Sequence, residues 1–267
     1  MNAPTRPVLR WHGGKWLLAP WIISHMPPHR VYVEPFGGAA SVLMRKGRAY
    51  AEIYNDLDDE VVNLFRVLRS PEAPRLIESL KLTPFAAVEF AAAYDAVDCP
   101  VERARRTVVR SFMGFGSNGV HRSTGFRSNS NRSGTTPARD WVNYPDALAA
   151  IVERLRGVVV LNRDAREVMA AHDCEDALHY VDPPYHFDTR TDASADYAHE
   201  MTHDDHAELL AFLRTLKGKV MLSGYPHASY DDALDGWTRI EKAALADGAR
   251  KRVEVLWCNF ETQGVLL

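Results

Sequence analysis

The 267-residue chain is poor in cysteine: Cys99, Cys174 and Cys258 are odd in number and far apart. That spacing excludes a disulfide frame and a thiolate zinc cluster, and fits reduced thiols in a cytoplasmic protein. No uninterrupted apolar run approaches the roughly 18 residues that a membrane span needs. Residues 1–10 carry two prolines and two arginines but no apolar core, so no secretory signal is expected. An internal repeat is also lacking. What the chain does have is 46% hydrophobic and 25% charged residues, a globular composition that excludes wholesale disorder. At about 150 residues per domain, its length fits one large domain with an insertion, or two small domains.

The most informative absence is local. Residues 103–139 hold eight arginines and no Asp or Glu, a charge of +8. The other 230 residues carry 24 basic and 35 acidic groups, or −11, so a net charge of −3 conceals a basic segment in an acidic body. Such asymmetry points to a polyanionic partner, against the plainer alternative of a solvated basic helix face.

Apolar patterning gives the architecture. Residues 31–33 form a short apolar run ending in Glu34-Pro35-Phe36-Gly37-Gly38, which reads as a buried strand and a tight turn. A helix over 39–44, a strand over 49–54 and a helix over 58–68 follow, the opening of a parallel sheet with crossover helices. Residues 71–80, 84–97 and 100–112 each start at or after a proline and read as helices. From 114 to 143 the chain is polar, rich in Ser, Gly, Asn and Arg, and is expected as a long functional loop. Then come a helix over 144–156, a strand over 158–161, a helix over 164–171 and a strand over 178–181. A helix over 202–216 starts at a Thr202/Asp205 capping box, and strand 220–222 ends in Ser223-Gly224-Tyr225. The tail, 237–245 and 253–260, reads as a hairpin. The total is an α/β fold with about seven mostly parallel strands and helices on both faces. Residues 1–69 and 144–267 are assigned to the sheet domain, and 70–143 to a helical insertion with a basic tip.

Ligands of such sheets bind beyond the C-terminal strand ends, and three of those ends stand out. Gly37 and Gly38 follow the first strand, where the lack of Cβ lets backbone N–H groups approach a ligand. Asp56, 19 residues after Gly37, ends the second strand. Nucleotide-binding sheets use such a carboxylate to accept from ribose hydroxyls. Singly, either feature is equally well a turn or a helix cap. The third end is Asp182-Pro183-Pro184-Tyr185. Its prolines fix φ and aim the Pro183 carbonyl, so a carboxylate and a carbonyl can accept from one exocyclic amino group while the tyrosine ring stacks on the base.

The order Arg10-Trp11-His12-Gly13-Gly14-Lys15, Glu34-Pro35-Phe36-Gly37-Gly38, Asn55-Asp56, basic insertion, Asp182-Pro183-Pro184-Tyr185 resembles the Dam-like DNA adenine-N6 methyltransferases, over about residues 8–260. The resemblance implies a Rossmann-like methyltransferase sheet, a helical target-recognition insertion and S-adenosylmethionine as methyl donor. It implies a cofactor set of Trp11, Lys15, Glu34, Pro35, Phe36, Gly37, Gly38, Asp56, Asp164 and Asp182, with Lys15 near the cofactor carboxylate and Asp56 on the ribose. The catalytic residues would be Asp182, Pro183, Pro184 and Tyr185. Double-stranded DNA would be the partner, contacted through Arg110, Arg122, Arg127 and Arg132. Position 12 is His where the family often has Ala, and residues 111–134 look more like the versions carried by phages and prophages. Rival readings are methylation of cytosine N4, RNA adenine or a glutamine amide, and a non-catalytic nucleic-acid binder. A nicotinamide oxidoreductase is disfavoured by the lack of G-x-G-x-x-G after the first strand.

Two motif matches point elsewhere. Gly114-Phe115-Gly116-Ser117-Asn118-Gly119 fits G-x-G-x-x-G, yet that motif works between a strand and a helix, and here a helix precedes and a polar loop follows. His199-Glu200-Met201-Thr202-His203 fits H-E-x-x-H, which binds zinc only when both histidines share one face of a continuous helix. The cap at Thr202 starts a helix between them, so no metal is expected. No membrane surface is called for, a monomer suffices, and Trp141 and Tyr144 are read as packing residues.

Overall fold

A computed structural model describes residues 3–129, 134–189, 198–246 and 250–262. Among them are strands β1 (Val31–Glu34), β2 (Ala51–Asn55), β3 (Val158–Leu161), β4 (Ala177–Val181), β5 (Lys219–Gly224), β6 (Thr238–Ala246) and β7 (Arg250–Cys258). The helices are α1 (Ala19–Ser24), α2 (Ser41–Arg45), α3 (Asp59–Leu68), α4 (Ala73–Leu82), α5 (Ala87–Ala92), α6 (Pro100–Met113), α7 (Pro137–Leu155), α8 (Ala165–Ala171), α9 (His203–Leu213) and α10 (Ala228–Ala233). None is long and apolar enough to cross a membrane.

The strands form one sheet in the order β3-β2-β1-β4-β5-β7-β6. The first five in that order run parallel, and β7 is antiparallel to both β5 and β6. The expected seven-stranded, mostly parallel α/β sheet and its terminal hairpin are present. β4 is buried at every position and β5 at all but Lys219. Strands covered on both faces read as continuous apolar runs instead of alternating ones, which is why such short segments are recognisable. β3 lies at the edge and leaves Val159 46% exposed.

The chain divides into two compact units. The helical unit comprises Met1–Trp16, Gly38–Arg45 and Asp58–Arg156; the sheet unit comprises Leu17–Gly37, Lys46–Leu57 and Gly157–Leu267. The helical unit therefore extends beyond residues 70–143. It takes in the N-terminal segment, α2, α3 and the whole of α7, which runs unbroken through residue 143.

In the sheet unit, Val33, Ile53, Val181, Leu222 and Trp257 of the strands pack against Val168 and Met169 of α8, Leu209 and Leu213 of α9, and Tyr230 of α10. Each such side chain removed from water contributes about 1.5–3 kcal/mol before chain entropy is charged against it. Trp257 donates its Nε1–H to Asp231 Oδ1 at 2.8 Å, giving the buried indole its partner. α9 starts where expected, with the Thr202 and Asp205 side chains each bonding the other's backbone N–H.

In the helical unit, α6 buries Val101, Ala104, Val108 and Phe112, one stripe at helical spacing. Its other face carries four arginines, and each finds an acid. Arg103 donates to Glu60 Oε1 at 2.7 Å, and Thr107 Oγ1 donates to Glu60 Oε2 at 2.7 Å. Arg110 pairs with the same Glu60 oxygen as Thr107. Arg105 bridges Glu102 and Glu89, and Arg106 reaches Glu102 at 2.8 Å. Burial would raise the Glu60 carboxyl, but bonds from Thr107 and Arg103 and the Arg110 charge outweigh it and hold the carboxyl low. Chiefly through Arg105, Glu102 falls to about 2.

The polar stretch ends sooner than expected. α7 starts at Pro137, with Thr136 Oγ1 accepting from Arg139 N at 3.3 Å, and Pro145 lies inside it. Pro145 reads as a helix start because proline suits the first turn; here Thr136 and Pro137 supply an earlier one. Trp141 and Tyr144 are core residues, donating to the Thr83 and Val8 carbonyls at 2.8 and 2.7 Å.

Candidate active site

Strand order creates the site. From β1 the chain runs outward to β2 and β3, then returns to β4 on β1's other side. At this switch the crossovers leave to opposite sides and open a crevice at the C-terminal ends, the usual ligand position in open α/β sheets. β1 and β4 pair in parallel register, Val33 opposite His179. The Glu34-Pro35-Phe36-Gly37 turn and the Asp182-Pro183-Pro184-Tyr185 corner therefore leave the sheet side by side.

Asp182 is half-buried. Ser223, at the end of neighbouring β5, donates its hydroxyl proton to Asp182 Oδ1 at 2.7 Å. Ser223 has one proton to give, so the 3.2 Å contact between Tyr180 Oη and Ser223 Oγ is a bond donated by Tyr180. The chain Tyr180 to Ser223 to Asp182 is thus polarised toward the carboxylate. Burial, then the Asp182 charge, pushes the Tyr180 phenol well above its ordinary pKa and keeps it a donor.

Tyr185 is only 6% exposed. Its hydroxyl donates to Glu254 Oε2 on β7 at 2.8 Å, and Tyr225 meets its ring edge-on at 4.6 Å. Burial and the Glu254 charge push the Tyr185 phenol up as well. On β1, Tyr32 Oη donates to the buried Glu34 carboxylate at 2.6 Å.

The glycine turn has a different cause from the one expected. A Cβ on Gly37 would lie 2.1 Å from Cε2 of Tyr54, which is fully buried. The missing side chain makes room for the protein's own ring. Gly37→Ala is expected to cost about 1–3 kcal/mol through overpacking, read as a fall in Tm of several degrees. Gly47→Ala, where a Cβ meets nothing within 4 Å, is the control expected to melt unchanged. In the helical unit, Gly38 has φ +46°, and a Cβ there would lie 2.6 Å from Trp11 Nε1.

Asn55 and Asp56 end β2. Asn55 Nδ2 donates to the Pro35 and Arg163 carbonyls, both at 2.9 Å, tying the β2 end to the turn after β1. Capping of α3 falls to Asp58, whose Oδ1 accepts from Glu60 N at 2.9 Å, so Asp56 is not the cap. Asp164 is a cap: it accepts from Arg166 N at 2.8 Å and starts α8.

In the helical unit, Lys15 is buried and donates to the Gly13 carbonyl at 2.7 Å. Trp11 meets His121 edge-on at 5.4 Å, and His121 Nε2 lies 2.7 Å from Asp58 Oδ2. Arg110 is turned inward to Glu60 with its side chain 15% exposed, which removes it from the expected DNA set. Arg122 and Arg127 are half-buried in the loop after α6, where Arg127 Nη1 donates to the Phe112 carbonyl at 3.0 Å. Arg132 lies outside the described residues, and Arg139 is exposed near the start of α7.

Gly114 to Gly119 follows α6 and joins a loop bridged to Phe126, not a strand-to-helix turn. Of the H-E-x-x-H match, only His203 is helical. Ser223, Tyr225, Glu254 and His121 are not singled out by the sequence motifs. Ser223 and Tyr225 had a signal, since they end the strand beside β4; Glu254 and His121 sit in segments with none.

Residues 11–246 match the family described as D12 class N6 adenine-specific DNA methyltransferase. A DNA adenine methylase from Serratia marcescens is 34% identical over 64 residues, a stretch covering 24% of this chain and 23% of that protein's length. A parallel sheet with an acidic Asp-Pro-Pro-Tyr corner at its switch point accords with the match, and the chain belongs to the D12 class of N6 adenine-specific DNA methyltransferases.

Proposed function

We propose that the chain transfers a methyl group from S-adenosylmethionine to the N6 amino group of adenine in double-stranded DNA, with the base turned out of the duplex. The observation that carries this reading is the Asp182 carboxylate, pinned by Ser223 at the end of β4 beside the end of β1. Family membership supports the reaction and the base.

The donor set of the sheet unit fits the cofactor. Its strand ends carry Glu34, Asp56 and Asp182, and residues 34–37 and 182–185 contain no Lys or Arg. Carboxylates without counter-charges favour a cationic, hydroxyl-bearing ligand over a dinucleotide pyrophosphate. Asp56 would accept from the ribose hydroxyls. Trp11 and Lys15 enter this reading through resemblance alone. When bound, S-adenosylmethionine supplies an electrophilic methyl group on a cationic sulfur.

The adenine amine is a poor nucleophile because its lone pair is delocalised into the ring. Accepting its two hydrogens, by the Asp182 carboxylate and the Pro183 carbonyl, localises that pair on nitrogen. Preorganised acceptors of this kind need no rearrangement as charge develops. The amine becomes acidic only as its lone pair is committed, so Asp182 takes a proton late and no strong base is required. Turning the base out costs a few kcal/mol. Stacking on Tyr185, whose ring Glu254 and Tyr225 hold in place, offsets about 1–3 kcal/mol of that. Arg122, Arg127, Arg132 and Arg139 are the arginines of the basic segment left to contact DNA phosphates or guanine edges.

Mass spectrometry of nucleosides from DNA incubated with the protein and S-adenosylmethionine tests the reading. N6-methyldeoxyadenosine is expected. N4-methyldeoxycytidine, or no modified nucleoside, would sink it.

A further inference from the structure

Four imidazoles gather beside the Asp-Pro-Pro-Tyr corner. His186, the residue after Tyr185, stacks on His227 at 3.9 Å between ring centroids and lies 4.3 Å from His203 and 5.0 Å from His206. Asp188 faces two of them: its Oδ2 is 3.7 Å from His186 Nδ1 and 3.9 Å from His227 Nε2. Both distances exceed the roughly 2.7–3.2 Å of a direct hydrogen bond. They are close to the spacing of atoms that share an ion. A tetrahedral centre with bonds of about 2.0–2.1 Å sets its ligand atoms about 3.3 Å apart. One ligand atom from each of His186, Asp188 and His227 lies within 4.8 Å of the others. Each measured edge needs to shorten by only about 0.5 Å, a small side-chain rotation.

We propose that His186 Nδ1, an Asp188 carboxylate oxygen and His227 Nε2 bind a divalent first-row transition ion of the zinc type. Two imidazoles and one carboxylate are borderline donors that suit zinc and its neighbours and are poor for magnesium or calcium, which take oxygen ligands. Ser229 supplies the support such a ligand needs. Its Oγ lies 2.7 Å from His227 Nδ1, so with Nδ1 protonated and donating to Ser229 the Nε2 lone pair faces the ion. Loading exchanges this bond for the 3.3 Å contact from Ser229 N to the same nitrogen. Asp188 and His227 also line a cavity of about 880 Å³, which gives the ion an entry path. The site ties the segment leaving Tyr185 to the loop after β5, so occupancy would brace the catalytic corner. It also accounts for half of the H-E-x-x-H match, because His203 belongs to the imidazole cluster although His199 does not share its helix.

The test uses the full chain without an affinity tag, stripped with a chelator and titrated with CoCl₂ and then ZnCl₂. One equivalent of Co²⁺ is expected to give the visible bands of a four- or five-coordinate ion, and Zn²⁺ to abolish them. His227→Ala and Asp188→Asn, at half-buried and exposed positions and checked for native circular dichroism, should each weaken Zn²⁺ binding at least tenfold by calorimetry. Failure to take up one equivalent overturns the site. Uptake of equal affinity in both variants does so too, since it would mark surface binding elsewhere.

Discussion

Asp182→Ala should lower methyl transfer to adenine by about a thousandfold or more, with kcat and kcat/KM falling together. That pattern marks an interaction made in the transition state and not in ground-state binding. Asp182 is half-buried and sits past the last residue of β4, so its removal takes little from the core. The change in melting should be near the roughly 1 kcal/mol of one lost hydrogen bond, the one from Ser223 Oγ. Asp182→Asn is the sharper variant. The carboxamide keeps the shape but presents an N–H donor where the substrate amine also donates, so its activity should resemble that of alanine. Ser223→Ala should fall between these variants and wild type, because the carboxylate stays but loses the bond that fixes its rotation. Transfer of tritium from labelled S-adenosylmethionine to DNA measures all three. Activity within tenfold of wild type in the folded alanine variant would remove Asp182 from the reaction.

The sheet was legible in the sequence because its inner strands are buried on both faces and therefore read as apolar runs bounded by turns. Residues 31–33 and 178–181 needed no alternation to be found, and their successors, Glu34-Pro35 and Asp182-Pro183, marked the strand ends where ligands bind. The helical unit was less legible. A linear window over 103–139 sees eight arginines and no acid, and reads a basic surface. Folding brings in Glu60 from α3 and Glu89 from α5, and Glu102 lies one residue before the window. The four arginines of α6 are thereby paired inside the protein, and the charge left to meet DNA is that of the later four. Gly37 repeats the lesson at one residue. Its missing Cβ was expected to face a ligand, but Tyr54, 17 positions away in sequence, occupies that space. Local pattern names the residue type that a position needs; only packing names the neighbour that needs it.

Glu60→Ala should be among the most destabilising single changes outside the apolar core, at about 2–4 kcal/mol. Removing one member of a mostly buried ion pair leaves the others uncompensated, and here that leaves two guanidinium groups, Arg103 and Arg110, sharing one pocket with Thr107. The range lies below the full cost of a buried charge because Arg103 is 34% exposed and water can reach it. Arg75→Ala is the contrast: its pair with Glu72 is exposed, at 69% and 49%, and its loss should be nearly silent. A double-mutant cycle on Glu60 and Arg110 should return a coupling above about 1 kcal/mol. The sign of the pH dependence follows from the same cluster. Both Glu60 and Glu102 have carboxyls held below the ordinary 4.5, Glu102 at about 2. Their contribution is complete above the unfolded value of about 4.5 and is lost as pH falls through the folded values. Stability of the wild type should thus decline from about pH 4.5 toward pH 2, and Glu60→Gln should flatten part of that decline. Urea melts at pH 7, 4 and 3 decide it. A Glu60→Gln protein with the wild-type slope would mean that the α3–α6 contact is held by its apolar stripe and that the ion pairs are passengers.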